Sequence, residues 1–147
     1  MNRADVVEVE AANAEYYAAF EAGDLDRMSA LWAFDSDAEG QVSCVHPGWP
    51  MLRGRAEVLR SWALIMANTT YIQFVLTDVQ ATVHGDVAMV TCGENVLTAA
   101  EGSESDFAAG GSIVASKVFV RTEAGWRLWL HHGSPVMERD DDEDDEG

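Results

Sequence analysis

His46, Glu94, Lys117 and His132 are the side chains of this 147-residue chain whose type and setting suit proton transfer or attack on a carbonyl. His132 ends a run from Trp126 in which alternation puts Trp126, Leu128, Leu130 and His132 on one face, and Arg127, Trp129 and His131 on the other. With the first set turned to an apolar interior, His132 is the leading general acid/base, because an imidazole there exchanges a proton near neutral pH. The alternative is a core histidine bonded to backbone or to Ser134. His46 opens the segment His46-Pro47-Gly48-Trp49-Pro50, which is too rich in Pro and Gly to stay in a strand and so forms a rigid loop that fixes the imidazole. If His46 meets His132, the pair can polarise a carbonyl on a hydrophobic ligand; otherwise His46 packs its loop. Two histidines without a spaced third ligand make no metal site, and neither metal nor cofactor is expected.

Glu94 stands inside a strand-like run, where a carboxylate needs a partner or a raised pKa; it is a candidate base, or it points to a wet face. Lys117 is the only lysine, mid-strand, facing the same way as Ala115 and Phe119. Desolvated, its amine could serve as base or Schiff-base nucleophile; a salt bridge to Glu94 or a dimer contact is the simpler expectation. Trp49, Trp62, Tyr16, Tyr17 and Phe20 supply apolar surface for a pocket or for the core. Trp129, on the opposite face of its strand from His132, would be exposed unless a partner covers it.

These residues need elements to hold them. The periodicity predicts a helix over 5–21 with Val7, Ala11, Ala14 and Ala18 on one face and Tyr16 and Phe20 on a second apolar edge, stopped by Gly23. Asp24 caps a shorter helix carrying Leu25, Met28 and Trp32. A strand follows over 41–45, then the Pro/Gly loop, then a third helix over 55–68 with Val58, Trp62 and Ile65 on one face. Four antiparallel strands are expected over 71–83, 87–98, 113–121 and 126–132, joined by tight turns at 84–86 and 123–125 and a longer Gly/Ser/acidic loop over 99–111.

Composition sets limits. With 48% hydrophobic residues the chain can build one substantial core, expected over 1–137. Residues 138–147 form an acidic, solvated tail holding −7 of the −17 net charge. Such a field, with no basic cluster, argues against nucleic acid and anionic membranes as partners. Cys44 and Cys92 lack metal-site or disulfide spacing, and no signal peptide or span of ~18 apolar residues is present, so a cytoplasmic protein is expected.

The stretches 13–32, 42–54 (VSCVHPGWPMLRG), Ser61-Trp62, 85–95 (GDVAMVTCGEN) and 125–136 (GWRLWLHHGSPV) resemble the SnoaL-like family of the nuclear transport factor 2-like, or ketosteroid isomerase-like, superfamily. The resemblance covers about residues 5 to 137. It implies an α+β cone fold, a curved antiparallel sheet packed on three N-terminal helices, and often a homodimer formed through the convex sheet face. Its relatives include isomerases, dehydratases, cyclases and non-catalytic association domains. Two positions depart from the family pattern: Lys117, where asparagine is common, and Leu130, where a further histidine is common. The resulting expectation is an apolar pocket for a hydrophobic or carbonyl-bearing small molecule, lined by Trp49, Trp62, Tyr16, Phe20, Leu128, Leu130 and Lys117. The alternatives are a cofactor-independent isomerase, dehydratase or cyclase using His132 with His46 or Glu94, and an association module whose cone is filled by its own side chains.

Overall fold

The computed structural model describes residues 3–37, 40–98 and 108–137. Helix α1 (Arg3–Ala22) lies across the sheet and buries Val9, Asn13, Tyr16, Tyr17 and Ala19. The expected stripe of Val7, Ala11, Ala14 and Ala18 is not the core face, and Val7 stays 56% exposed. The two tyrosines remove far more apolar area from water than three alanines, and their burial sets the rotation of the helix. Gly23, at φ 64°, ends it, and Asp24 caps α2 (Leu25–Leu31) by accepting a hydrogen bond from the Arg27 amide at 3.1 Å. Helix α3 (Arg55–Ala67) buries Val58, Ser61 and Trp62.

The strands are β1 (Ser43–Val45), β2 (Leu52–Arg53), β3 (Ile72–His84), β4 (Val87–Thr98), β5 (Ala108–Thr122) and β6 (Gly125–Pro135). They form one curved, open sheet in the order β2-β1-β6-β5-β4-β3. The last four make the expected antiparallel meander. The sheet as a whole is mixed rather than antiparallel, because β1 enters beside β6 and runs parallel to it, pairing Cys44 with His131 and Val45 with His132. Residues 99–107 of the expected loop and the acidic tail over 138–147 lie outside the described residues, while 108–111 belong to β5.

Bulges curve the sheet around α1. In β3 the pairing shifts between Thr77 and Gln80, where Asp78 takes φ 52°. On β4, Gly93 faces this bulge, and a Cβ there would lie 2.6 Å from Thr77 Oγ1. Inside the cone, Trp32, Trp62, Met28, Phe119 and Leu128 are all but inaccessible to solvent.

Candidate functional site

A bulge in β6 decides which histidine faces inward. Phe119 pairs with Leu128 and Val118 with Leu130, so Trp129 is an extra residue of β6 without a partner of its own on β5. Beyond it the faces exchange relative to simple alternation. His131, not His132, lies on the concave side, 2% exposed and opposite Lys117. His132 is exposed opposite Ser116, and Leu130 sits opposite Val118 on the convex side, so neither lines the cone. Trp129 packs half-buried against the core at the bulge instead of standing free in solvent.

On the concave floor a buried polar chain crosses from β4 to β5 by way of α1. The Tyr17 hydroxyl donates a hydrogen bond to Glu94 at 2.5 Å, and its own oxygen accepts one from Lys117 Nζ at 2.6 Å. Tyr17 thus joins carboxylate to ammonium, whereas a direct Glu94–Lys117 ion pair was the simpler expectation; the three ion pairs among the described residues do not include one. Cys92 Sγ lies 3.3 Å from the same hydroxyl. With the Tyr17 proton directed at Glu94, the thiol is the group left to donate there. Lys117 Nζ also rests 4.5 Å from the Tyr16 ring centroid and 4.4 Å from that of Tyr17, a cation held over two π faces.

Burial pulls the two charges of this chain toward neutrality. Desolvation lowers the Lys117 ammonium to about 8 against partial support from Cys92 and Glu94. Glu94 is raised by desolvation, against the hydrogen bond from Tyr17 and the charge of Lys117. Both tyrosines are raised, first by burial and then by the Glu94 charge.

A second branch carries the imidazoles. The Tyr16 hydroxyl is 3.1 Å from His131 Nε2, and His131 Nδ1 has no hydrogen-bond partner among the described residues. Burial, then the nearby Lys117 charge, hold His131 well below the usual histidine range, so it is a neutral imidazole. His46 sits where sequence reasoning put it, at the head of a tight turn closed by a bond from the Trp49 amide to the His46 carbonyl at 2.8 Å. Pro47 and Gly48, the latter at φ 82°, occupy the two central positions of this type II turn. Pro47 packs on Gly133 of β6, where a Cβ would come within 3.1 Å of the ring.

His46 Nε2 lies 2.9 Å from Ser61 Oγ, and that hydroxyl donates to the Val58 carbonyl at 2.6 Å. The proton of the His46–Ser61 contact must therefore come from His46 Nε2–H. Desolvation drops His46 to about 4. Its ring stands edge-on between Trp49 at 5.0 Å and Trp62 at 4.9 Å. Trp62 in turn contacts Tyr16 at 5.6 Å, so His46 packs on one ring of an aromatic pair and His131 on the other.

Contacts therefore join Glu94, Lys117, Tyr16, Trp62 and His46 in one cluster, with Trp49 packed on the His46 ring; Leu128 is buried beside Phe119 and Trp32, and His132 and Leu130 are left out. Phe20 stacks beside Phe74, 5.1 Å apart, and borders a groove of about 90 Å³ with Met66 and Ile72. Sequence reasoning missed Ser61 as the partner of His46, Tyr17 as the link between the charges, and His131. A signal for the last was present in the His131-His132 doublet, which offers an imidazole to either face. Among the described residues no group of three or more His, Cys, Asp or Glu could hold a metal ion, and no described helix is long and apolar enough to cross a membrane.

The family model for the SnoaL-like domain matches residues 9–138. The chain belongs to the SnoaL-like family. Its fold is that of nuclear transport factor 2-like proteins, as the solved structures confirm. A candidate dehydratase of that family from Streptomyces avermitilis is 50% identical, covering 94% of this chain and 100% of its own, with a TM-score of 0.86. A candidate association domain of a calcium/calmodulin-dependent protein kinase type II from Thiobacillus denitrificans is 34% identical over 87% of this chain and 94% of its own, with a TM-score of 0.72. A nuclear transport factor 2-like protein with a cystatin-like fold from Novosphingobium aromaticivorans is 25% identical over 92% and 84%, with a TM-score of 0.69. No curated protein matches the chain.

Proposed function

We propose that the cone binds a small, largely hydrophobic, carbonyl-bearing molecule against the floor of Tyr16, Tyr17, Glu94, Lys117 and His131, and transfers protons on it in a dehydration or isomerisation. The observation that carries this reading is the burial of an amine and a carboxyl joined by one phenol, Lys117 at 0% and Glu94 at 5% exposure. A packing core gains nothing from such a chain, since desolvating charge opposes folding, whereas acid/base chemistry needs groups whose pKa values are brought together by their surroundings. On this reading Tyr16, bonded to the neutral His131, donates to the carbonyl oxygen of the ligand, and Glu94 takes the proton. The 50% identical Streptomyces avermitilis relative described as a candidate dehydratase supports the same class. Phe74 packs on Tyr17 at 5.0 Å and on Phe20 at 5.1 Å, so entry past these rings requires them to swing aside.

The reading is tested with 2-cyclohexenone and acetophenone. A saturable change in tryptophan emission together with a rise in Tm is expected, because Trp62 stands beside Tyr16 and ligand binding to the native state alone raises stability. No change in either signal, with an empty cone in crystals soaked in both compounds, would sink it. The free, buried Cys44 and Cys92 fit a cytoplasmic setting, where thiols remain reduced.

A second reading, self-association, is favoured by the convex face, where Val75, Met89 and Val114 are each about half exposed and Val75 borders a hollow of about 550 Å³. We propose a homodimer through this face. Sedimentation should give a dimer for the parent chain and a monomer for Met89→Lys with Val114→Lys; a parent chain monomeric at high concentration excludes it.

A further inference from the structure

We infer that Lys117 is a covalent nucleophile, condensing with the carbonyl of an aldehyde or ketone in the cone to form an imine. The inference deepens the binding reading above and rests on it, since the carbonyl must first reach the floor. Its grounds are geometric. The only lysine amine of the chain lies on the concave face, at 0% exposure, with Nζ 2.6 Å from the Tyr17 hydroxyl. That hydroxyl is 2.5 Å from a Glu94 oxygen, so a proton can pass from Nζ to Tyr17 while Tyr17 gives its own to Glu94. Two aromatic faces within 4.5 Å then flank the nitrogen where a cationic imine would form. A purely structural lysine at this place would be served by a direct ion pair, and Tyr17 is interposed instead. The lowered pKa of Lys117 and the raised one of Glu94 act in the direction the relay needs.

The step balances without any further reagent. The relay leaves a neutral amine and a protonated Glu94. The nitrogen lone pair attacks the carbonyl carbon, the C=O π pair moves to oxygen, and that oxygen takes a proton from Glu94 by way of Tyr17. The nitrogen returns its second proton along the same path, giving a carbinolamine. The C–O bond then breaks, the hydroxyl leaves as water with the proton from Glu94, and the nitrogen lone pair closes the C=N bond. An ammonium and a carbonyl have become an iminium and one water, with Glu94 again ionised. An iminium draws electrons from the neighbouring carbon, which eases proton loss there and elimination of a β-hydroxyl.

Propanal and benzaldehyde with sodium cyanoborohydride at pH 7 provide the test, read by intact mass and peptide mapping of the full chain. Because the α-amino group is the one other primary amine, an adduct is assigned without ambiguity. The folded protein is expected to label at Lys117 at least ~10-fold faster than the urea-unfolded chain, in which the amine is mostly protonated. Lys117→Met and Lys117→Arg should lose the adduct, with circular dichroism confirming that they fold, and Tyr17→Phe should slow it while keeping the amine. Labelling of the α-amino group alone, or of Lys117 only after unfolding, overturns the inference. If benzaldehyde raises Tm saturably yet Lys117 stays unlabelled, the imine falls and the binding reading stands; if it neither binds nor labels, both fall.

Discussion

Replacing Lys117 by Met should make the protein more stable near neutral pH. The two side chains are both unbranched and of similar length, so packing between Tyr16 and Tyr17 changes little. What changes is the charge. The ammonium falls from its ordinary 10.5 to about 8 on folding, which corresponds to about 3 kcal/mol by which the folded state disfavours the charged form at pH 7. The variant loses the hydrogen bond to Tyr17 and the two ring contacts, together about 1–2 kcal/mol. It also deprives Glu94 of a nearby cation, and that carboxyl, already raised by burial, limits the loss by holding a proton. The net gain is about 1–2 kcal/mol, or roughly 3–8 °C in Tm for a domain of this size.

The sign follows from proton counts. Between pH 8 and 10.5 the unfolded lysine is protonated more than the folded one, so parent stability rises with pH across that window. The advantage of Lys117→Met is therefore full below pH 8 and gone by 10.5. Urea denaturation of both proteins at pH 7, 9 and 10.5 measures it. Tyr16 and Tyr17 on α1, Cys92 and Glu94 on β4 and His131 on β6 face the amine, and any other titrations common to both proteins cancel in the difference. A variant less stable than its parent at pH 7, or a gain that does not shrink with pH, would refute the idea that the chain carries this amine at a cost in stability. The expected result is a stability gain together with loss of function.

Once a substrate is in hand, His131→Gln should lower turnover about 10²-fold and His132→Gln should leave it within about twofold, because only the first lies on the concave face; steady-state kinetics of the two variants decides between them. Gly93→Ala should cost about 1–3 kcal/mol in urea denaturation, since its Cβ would fall 2.6 Å from Thr77 Oγ1, and Thr77→Ala should restore most of that loss in the double variant. His46, lowered from 6.5 to about 4, binds its proton in the unfolded chain first, so stability falls as pH drops through that window; in His46→Gln this part of the acid dependence should flatten in thermal melts from pH 7 to 4.

Much of the fold is legible in the sequence because its signals are local. Alternation in residues 87–98 gives β4 to the residue, Gly23 and Asp24 mark a helix stop and a cap, and Pro47-Gly48 can only make a turn. What escaped was set by competition or by distance. On α1 two apolar stripes were available, and Tyr16 with Tyr17 outweighed the alanines only once a sheet existed to receive them. The parallel seating of β1 beside β6 joins residues far apart in sequence and has no local signature. Glu94 and Lys117 were recognised as unusual from their strand positions, but the phenol that links them comes from a helix about a hundred residues before the lysine.

The misassigned histidine has a single physical origin. Strict alternation from Trp126 counts Trp129 as an ordinary strand residue and so turns His132 inward. With Trp129 set aside as the bulge, Leu128 is inside, Leu130 outside, His131 inside, His132 outside and Gly133 inside, as the burial along β6 records. Gly133 supports this count independently, because Pro47 packs within 3.1 Å of where its side chain would be, and only an inward position without a Cβ admits the turn that carries His46. One extra residue in one strand thus brings His131 opposite Lys117 and seats the His46 turn on the same strand. A bulge beside reactive groups serves here to aim a side chain as well as to bend a sheet.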